Sequence, residues 1–208
     1  MISPEAMAGF FVTSLLLGAA PGPDNIFVLT QSALYGAGAG IATTLGLVSG
    51  LCVHTAAVAL GVAALLQSSS AAFAVLKIIG ALYLLRLAWL CFRSGAARTD
   101  VPETSRFPGY AALYRRGIIM NVTNPKVSLF FLAVLPQFCA VERGDVFLQT
   151  LCLGGLFICA TVLVFFSVSA LGGRLAVWFN RSPRGQMLMH RLAGSIFIAL
   201  AATLFLSA

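Results

Sequence analysis

Two short stretches of this chain set ionisable residues beside helix breakers inside otherwise apolar sequence. The first is Pro21-Gly22-Pro23-Asp24-Asn25. Each proline removes a backbone donor and clashes with the turn before it, so two prolines around a glycine predict an interrupted helix. Asp24 then falls in the first turn of the following half-helix, where the positive end of the dipole favours a carboxylate. The second stretch is Asn121-Val122-Thr123-Asn124-Pro125-Lys126. Asn124 is a good N-cap and Pro125 a good first helical residue. Lys126 has the wrong sign for that helix end and calls for a negative partner, either Asp24 or a carboxylate on a solute. Such a pair suits two tasks, holding the ammonium and carboxylate of a zwitterion or passing a proton.

Each stretch also has a plainer explanation. Asp24 could cap its own backbone in a kinked helix, and Lys126 could snorkel to a surface. His54 follows Gly46 and Gly50 at spacings of four and so shares their helix face. Gly-x-x-x-Gly most often means close helix packing; His54 on that face suits a proton relay near neutrality as well as a packing role. Lys77 is a further buried-charge candidate, close enough to the start of its segment to snorkel. The five cysteines, Cys52, Cys91, Cys139, Cys152 and Cys159, show no C-x-x-C spacing. They point to packing rather than to a metal site or a disulfide framework. No cofactor is indicated.

What positions these residues is a membrane. Of the 208 residues, 60% are hydrophobic and only 9% charged, against roughly 25% charged in globular chains. From Asn25 to Leu76 there is no Asp, Glu, Lys or Arg, a run long enough for two passes at about 20 residues each. Met7 to Ala20 follows Glu5 without a preceding Lys or Arg, so it is expected to be a mature first helix rather than a signal peptide. Six apolar segments run near Ala6–Leu34, Ile41–Leu66, Ala71–Phe92, Gly117–Phe138, Val146–Leu171 and Arg191–Leu206. Lys126 lies nine residues after Gly117, about 14 Å at 1.5 Å per residue, and so near the bilayer centre.

The net charge of +7 sits between these segments, which speaks for topology rather than for a nucleic-acid partner. The third loop carries Arg93, Arg98, Arg106, Arg115 and Arg116 against Asp100 and Glu103; the fifth carries Arg174, Arg181, Arg184 and Arg191 with no acid. Both are therefore expected in the cytoplasm and both termini outside. Three spans per half make the halves inverted, repeat one about 1–93 and repeat two about 117–208 around a cytoplasmic loop of about 94–116, in a single transporter domain. Pro23-Asp24 echoes Pro125-Lys126, and Lys77-x-x-Gly80 echoes Arg191-x-x-Gly194. Secondary transporters often combine inverted repeats with helices broken at corresponding positions. The expected fold is thus all-α, six transmembrane helices in two inverted three-helix repeats, with the first and fourth interrupted.

The series Pro21-Gly22-Pro23-Asp24, Gly46-x-x-x-Gly50, Leu76-Lys77-x-x-Gly80-x-x-Tyr83-Leu84, Asn121-x-x-Asn124-Pro125-Lys126 and Leu135-Pro136-Gln137-Phe138 resembles the lysine-exporter and homoserine/threonine-efflux (LysE/RhtB) family. The resemblance covers essentially the whole chain, and the Asn-x-x-Asn-Pro-Lys to Pro-Gln-Phe block is its most specific element. It implies export of amino acids or close derivatives from the bacterial cytoplasm across the inner membrane, neutral ones such as threonine, homoserine or leucine, or basic ones, with the proton as coupling ion. Asp24, Asn25, Asn121, Asn124, Lys126, His54 and Lys77 are then the candidates for substrate binding or proton coupling, and Pro21, Gly22, Pro23 and Pro125 mark the breaks. Besides substrate, proton and lipid, the sequence leaves room for a homo-oligomer. Two other plans compete. A thiol–disulfide conduit of similar six-helix design needs a reactive cysteine at each break, where this chain has Asp24 and Lys126. A passive pore differs only in lacking coupling. A membrane enzyme finds no metal-ligand cluster, no nucleophile with a placed base and no phosphate loop.

Overall fold

A computed structural model describes residues 2–68, 70–94 and 106–206, and among these the chain is all-helical. Helix α1 (Pro4–Ala19) opens on Ser3, whose hydroxyl accepts from the Ala6 amide at 3.3 Å. It ends where Pro21 and Pro23 forbid another turn. Helix α2 (Pro23–Tyr35) leaves at 61° to α1. Helices α3 (Ala37–Ser68) and α4 (Ser70–Arg93) follow. Helix α5 (Tyr110–Val122) breaks at Thr123 and Asn124, and α6 (Pro125–Leu129) departs at 47°. Pro136 has no N–H to give, and the ladder before it loosens: Phe130–Val134 is a π turn in which the Leu135 amide reaches back to the Phe130 carbonyl, and Leu135–Phe138 tightens into a 3₁₀ turn. A short 3₁₀ turn at Val141–Arg143 leads to the long helices α7 (Val146–Arg181) and α8 (Pro183–Leu206).

Among the described residues three stretches are long and apolar enough to cross a membrane, Ala37–Gly61, Val146–Gly172 and Pro183–Phe205. Each bent pair passes as one further span, giving up to five. The remaining segment expected from the sequence, the third at Ala71–Phe92, falls on α4, which is not among these spans. The polar stretches differ from expectation. Residues 174–191, read as a loop, are helix except at Ser182, whose hydroxyl accepts from the Gly185 amide at 3.1 Å and starts α8 behind Pro183. Likewise α5 begins at Tyr110, so Arg115 and Arg116 ride on a helix, and the Arg116 guanidinium lies 4.7 Å over the Phe27 ring. Backbone hydrogen bonds do not require apolar side chains, and a helix runs past its hydrophobic stretch until something stops it. Arg98, Asp100, Pro102 and Glu103 lie outside the described residues.

The core gathers around Phe10, Phe130, Phe131 and Phe157, all at most 4% exposed, with ring centroids 5.1–6.5 Å apart. At one end the Tyr35 hydroxyl donates to the Arg106 carbonyl at 3.4 Å, and the turn between α2 and α3 meets the start of α5. At the other, Phe138 packs on Phe10 at 5.1 Å. Helix α3 lies against α5 and α7, α7 also packs on α1 and α2, and α4 pairs with α8.

Candidate functional site

The two breaks meet. The Asn124 amide donates to Asp24 Oδ2 at 2.8 Å across a sequence separation of 100 residues, while its oxygen accepts the Lys126 backbone N–H at 3.0 Å. Asn124 thus caps α6 as its position predicts and holds the acid of the other half. Asp24 sits in the first turn of α2, 5% exposed. It does not cap its own backbone: α2 has no side-chain cap, and Asp24 Oδ1 is buried without a partner.

The Lys126 ammonium finds its negative partner in backbone rather than in carboxylate. It donates to the Leu17 carbonyl at 3.3 Å and the Ala20 carbonyl at 3.4 Å. These belong to the last turn of α1, where carbonyls lack intrahelical donors and the dipole end is negative. The expected direct pairing with Asp24 is not the one formed, and neither is the snorkelled lysine. Gly22 makes room for this. Its backbone is extended at φ −164°, a conformation open to any residue, but a Cβ there would stand 3.1 Å from the Lys126 Nζ.

Asp24, Lys126 and Asn121 line one cavity of about 20 Å³ together with Gly18, Phe157 and Thr161, the space that about one water needs. Asn121 is 3% exposed, and its side-chain oxygen, like Asp24 Oδ1, is buried with no partner. Two orphan acceptors in one small chamber cost about 1–3 kcal/mol each unless a donor arrives. As it stands the chamber is too small for an amino acid.

The remaining candidates divide. His54 Nε2 donates to the Asn121 backbone carbonyl at 3.2 Å and its ring lies 5.7 Å from Phe131. It therefore tends the end of α5 as Lys126 tends the end of α1. Gly46 and Gly50 seat that helix: a Cβ on Gly46 would strike the Tyr114 carbonyl, and one on Gly50 would stand 2.7 Å from the Asn121 Cβ. This is the packing role that Gly-x-x-x-Gly suggests, and it brings Asn121 and His54 together. The Asn25 amide donates to the Gly18 carbonyl at 2.7 Å, tying the start of α2 to the end of α1. Half-buried Lys77 lies on α4 and lines no wall of the Asp24 chamber. The sequence reading missed the carbonyls of Leu17 and Ala20 and the wall residue Thr161, 3% exposed. The carbonyls had a signal, since a broken helix exposes acceptors before the break as surely as donors after it. Thr161 had none, being one hydroxyl in a long apolar segment.

Comparison with known proteins places the chain in a family. No solved structure matches the chain. An uncharacterized membrane protein of Vibrio cholerae is 33% identical over 91% of both chains. A homoserine/homoserine lactone efflux protein of Salmonella typhimurium is 31% identical over 94% of this chain and 93% of its own. An uncharacterized membrane protein of Pseudomonas aeruginosa is 30% identical over 88% of this chain and 87% of its own. Residues 15–208 match the LysE type translocator family, and the chain belongs to that family.

Proposed function

We propose that this membrane transporter exports amino acids or close derivatives from the bacterial cytoplasm across the inner membrane, driven by the proton gradient. Members of the family are translocators, not enzymes. The relative from Salmonella typhimurium, a homoserine/homoserine lactone efflux protein, supports a small neutral amino-acid derivative as cargo. In this reading α1–α2, α3 and α4 form one repeat and α5–α6, α7 and α8 an inverted second, six spans in one domain. Reciprocal packing supports it, since α3 lies on α5 as α7 lies on α1 and α2, while α3 with α7 and α4 with α8 pair their own counterparts. Basic residues on the loop sides of α4, α5, α7 and α8 support cytoplasmic placement of those ends, with both termini outside.

The observation that carries the proposal is the meeting of both breaks at one small chamber, with Asn124 of one half on Asp24 of the other and Lys126 on the carbonyls of α1. When the halves rock apart, Asp24 Oδ1 and Asn121 Oδ1 receive the substrate's ammonium. Lys126 exchanges carbonyls for its carboxylate. Asp24 suits the proton as well, because protonation at Oδ1 leaves the Asn124 bond to Oδ2 in place. Counterflow in proteoliposomes against a panel of labelled amino acids tests the reading. Exchange of a neutral amino acid, with net accumulation only under a proton gradient, is expected. Flux of every solute without saturation would instead mark a passive pore.

A further inference from the structure

A second cavity lies on the other side of the first break. It measures about 140 Å³, is walled by Pro21, Asn25, Leu29, Val164, Val168 and Met189, among others, and opens outward past Ala19 and Ile26, both exposed. Asn25 is the one polar side chain among its described lining residues. The two cavities share their partition. Gly18, Asp24, Thr161 and Phe165 face the small chamber, while Ala19, Asn25, Val164 and Val168 face the larger cavity. The partition is therefore the end of α1, the start of α2 and one stretch of α7. The hydrogen bond from the Asn25 amide to the Gly18 carbonyl runs within it, and Asn25 Oδ1 is buried without a partner.

We propose that this cavity receives the side chain of the exported amino acid, and that it selects neutral apolar chains over charged ones; the inference rests on the amino-acid export reading above. Size supports the assignment. An apolar cavity of about 150 Å³ accepts a benzene-sized group, so a chain of up to about six non-hydrogen atoms fits. Chemistry restricts it further. The described lining residues include no acid, and a lysine-type ammonium buried among them would meet no counter-charge there. The cavities flank one partition that is the break itself, so one molecule uses both once the halves rock apart, its charged end at Asp24, Asn121 and Lys126 and its side chain past the break. The orphan Asn25 oxygen supplies an acceptor where the two meet.

The test uses the full-length protein in proteoliposomes, with counterflow of leucine, alanine and lysine and with the melting temperature of each variant. Wild type is expected to exchange leucine at least about tenfold better than lysine, the ratio that about 1.4 kcal/mol of differential binding gives. Val164→Phe fills the cavity and raises the KM for leucine about tenfold more than that for alanine. Met189→Ala widens it and lets phenylalanine compete. Should Val164→Phe fail to fold, Val168→Phe fills the same space from the next turn of α7. A preference for lysine overturns the proposal. So does an equal loss for leucine and alanine, and so does an unchanged leucine KM in a folded filling variant, which assigns the cavity to a lipid tail. If wild type exchanges no amino acid at all, the export reading itself falls, and this one with it.

Discussion

The two breaks solve the same problem with opposite materials. At the second, Asn124 caps α6 with its own side chain and Pro125 begins the helix. At the first, Gly22 stands in the cap position with no side chain to offer, and α2 begins at Pro23 uncapped. The difference follows from what each break must accommodate. The second sends two side chains across, Asn124 to Asp24 and Lys126 to the end of α1. The first receives them, and the space a cap would occupy is where the Lys126 ammonium sits. One break is built to reach and the other to be reached. A discontinuous helix is thus two binding ends, and the end before the break does as much as the end after it.

Removing the reaching cation is expected to have the largest effect. Lys126→Ala leaves the Leu17 and Ala20 carbonyls without their buried donor, at about 1–3 kcal/mol each, and removes the partner for a substrate carboxylate. Export should fall at least about a hundredfold, as for loss of a charged contact of about 3 kcal/mol. Lys126→Met, which keeps the volume, should be equally inactive while retaining more thermal stability. Substantial turnover in the folded Met variant would mean that the ammonium serves the fold alone.

The carboxylate should behave differently. Asp24→Asn leaves an oxygen for the Asn124 amide to bond, so the contact between halves survives. What is lost is a group able to take a proton at Oδ1. The new amide NH2 also faces the substrate's ammonium where Oδ1 did, so counterflow is expected to persist but weakened by about ten- to a hundredfold, while accumulation against a gradient is lost. Both are measured on the same vesicles. Wild-type coupling in this variant would remove Asp24 from the proton path and shift attention to His54.

Both breaks were legible because proline and glycine act locally: each disrupts the hydrogen bonds of its own turn whatever the rest of the chain does. The cap at Asn124 was legible for the same reason, and the sequence pattern of the family pointed to the family found. The partner of Lys126 was not, since a negative charge was sought among side chains and the acceptor is backbone, which has no letter in a sequence. The helical course of 174–191 was also hidden, because polar composition resembles a loop where a helix merely leaves its hydrophobic stretch. Thr161 joins the chamber only through the packing of α7 on α1 and α2, a relation between segments far apart in the chain.

A smaller effect separates space from conformation at the first break. Gly22 is extended, so alanine costs no backbone strain there, yet the added Cβ meets the Lys126 ammonium at 3.1 Å. That ammonium already makes long bonds, and displacing it by a few tenths of an ångström weakens both. Gly22→Ala should fold normally and lose on the order of tenfold in turnover, as for about 1.4 kcal/mol of one charged hydrogen bond. Full activity would show that the ammonium moves freely at the first break and that the asymmetry between the two has no functional weight.

The smallest effect is expected from the cysteines, and it bears on the comparison because a thiol–disulfide conduit would place one at each break. Neither break holds one. Cys52, Cys152 and Cys159 are exposed, Cys91 is buried among apolar neighbours, and Cys139 sits beyond the 3₁₀ turn with its sulfur 3.8 Å from the Thr150 hydroxyl. Changing the three exposed residues to Ala or Ser should cost almost nothing. Cys91→Ala leaves a small void, worth about 1 kcal/mol, and Cys139→Ser keeps a group able to bond Thr150. The variant lacking all five should therefore melt a few degrees lower and export within about twofold of wild type, since the loss lies in packing and neither break is bonded to a thiol. A well-folded cysteine-free protein with no transport at all would reverse the assignment. It would mean that the charges at the two breaks are scaffolding and that thiols carry the function.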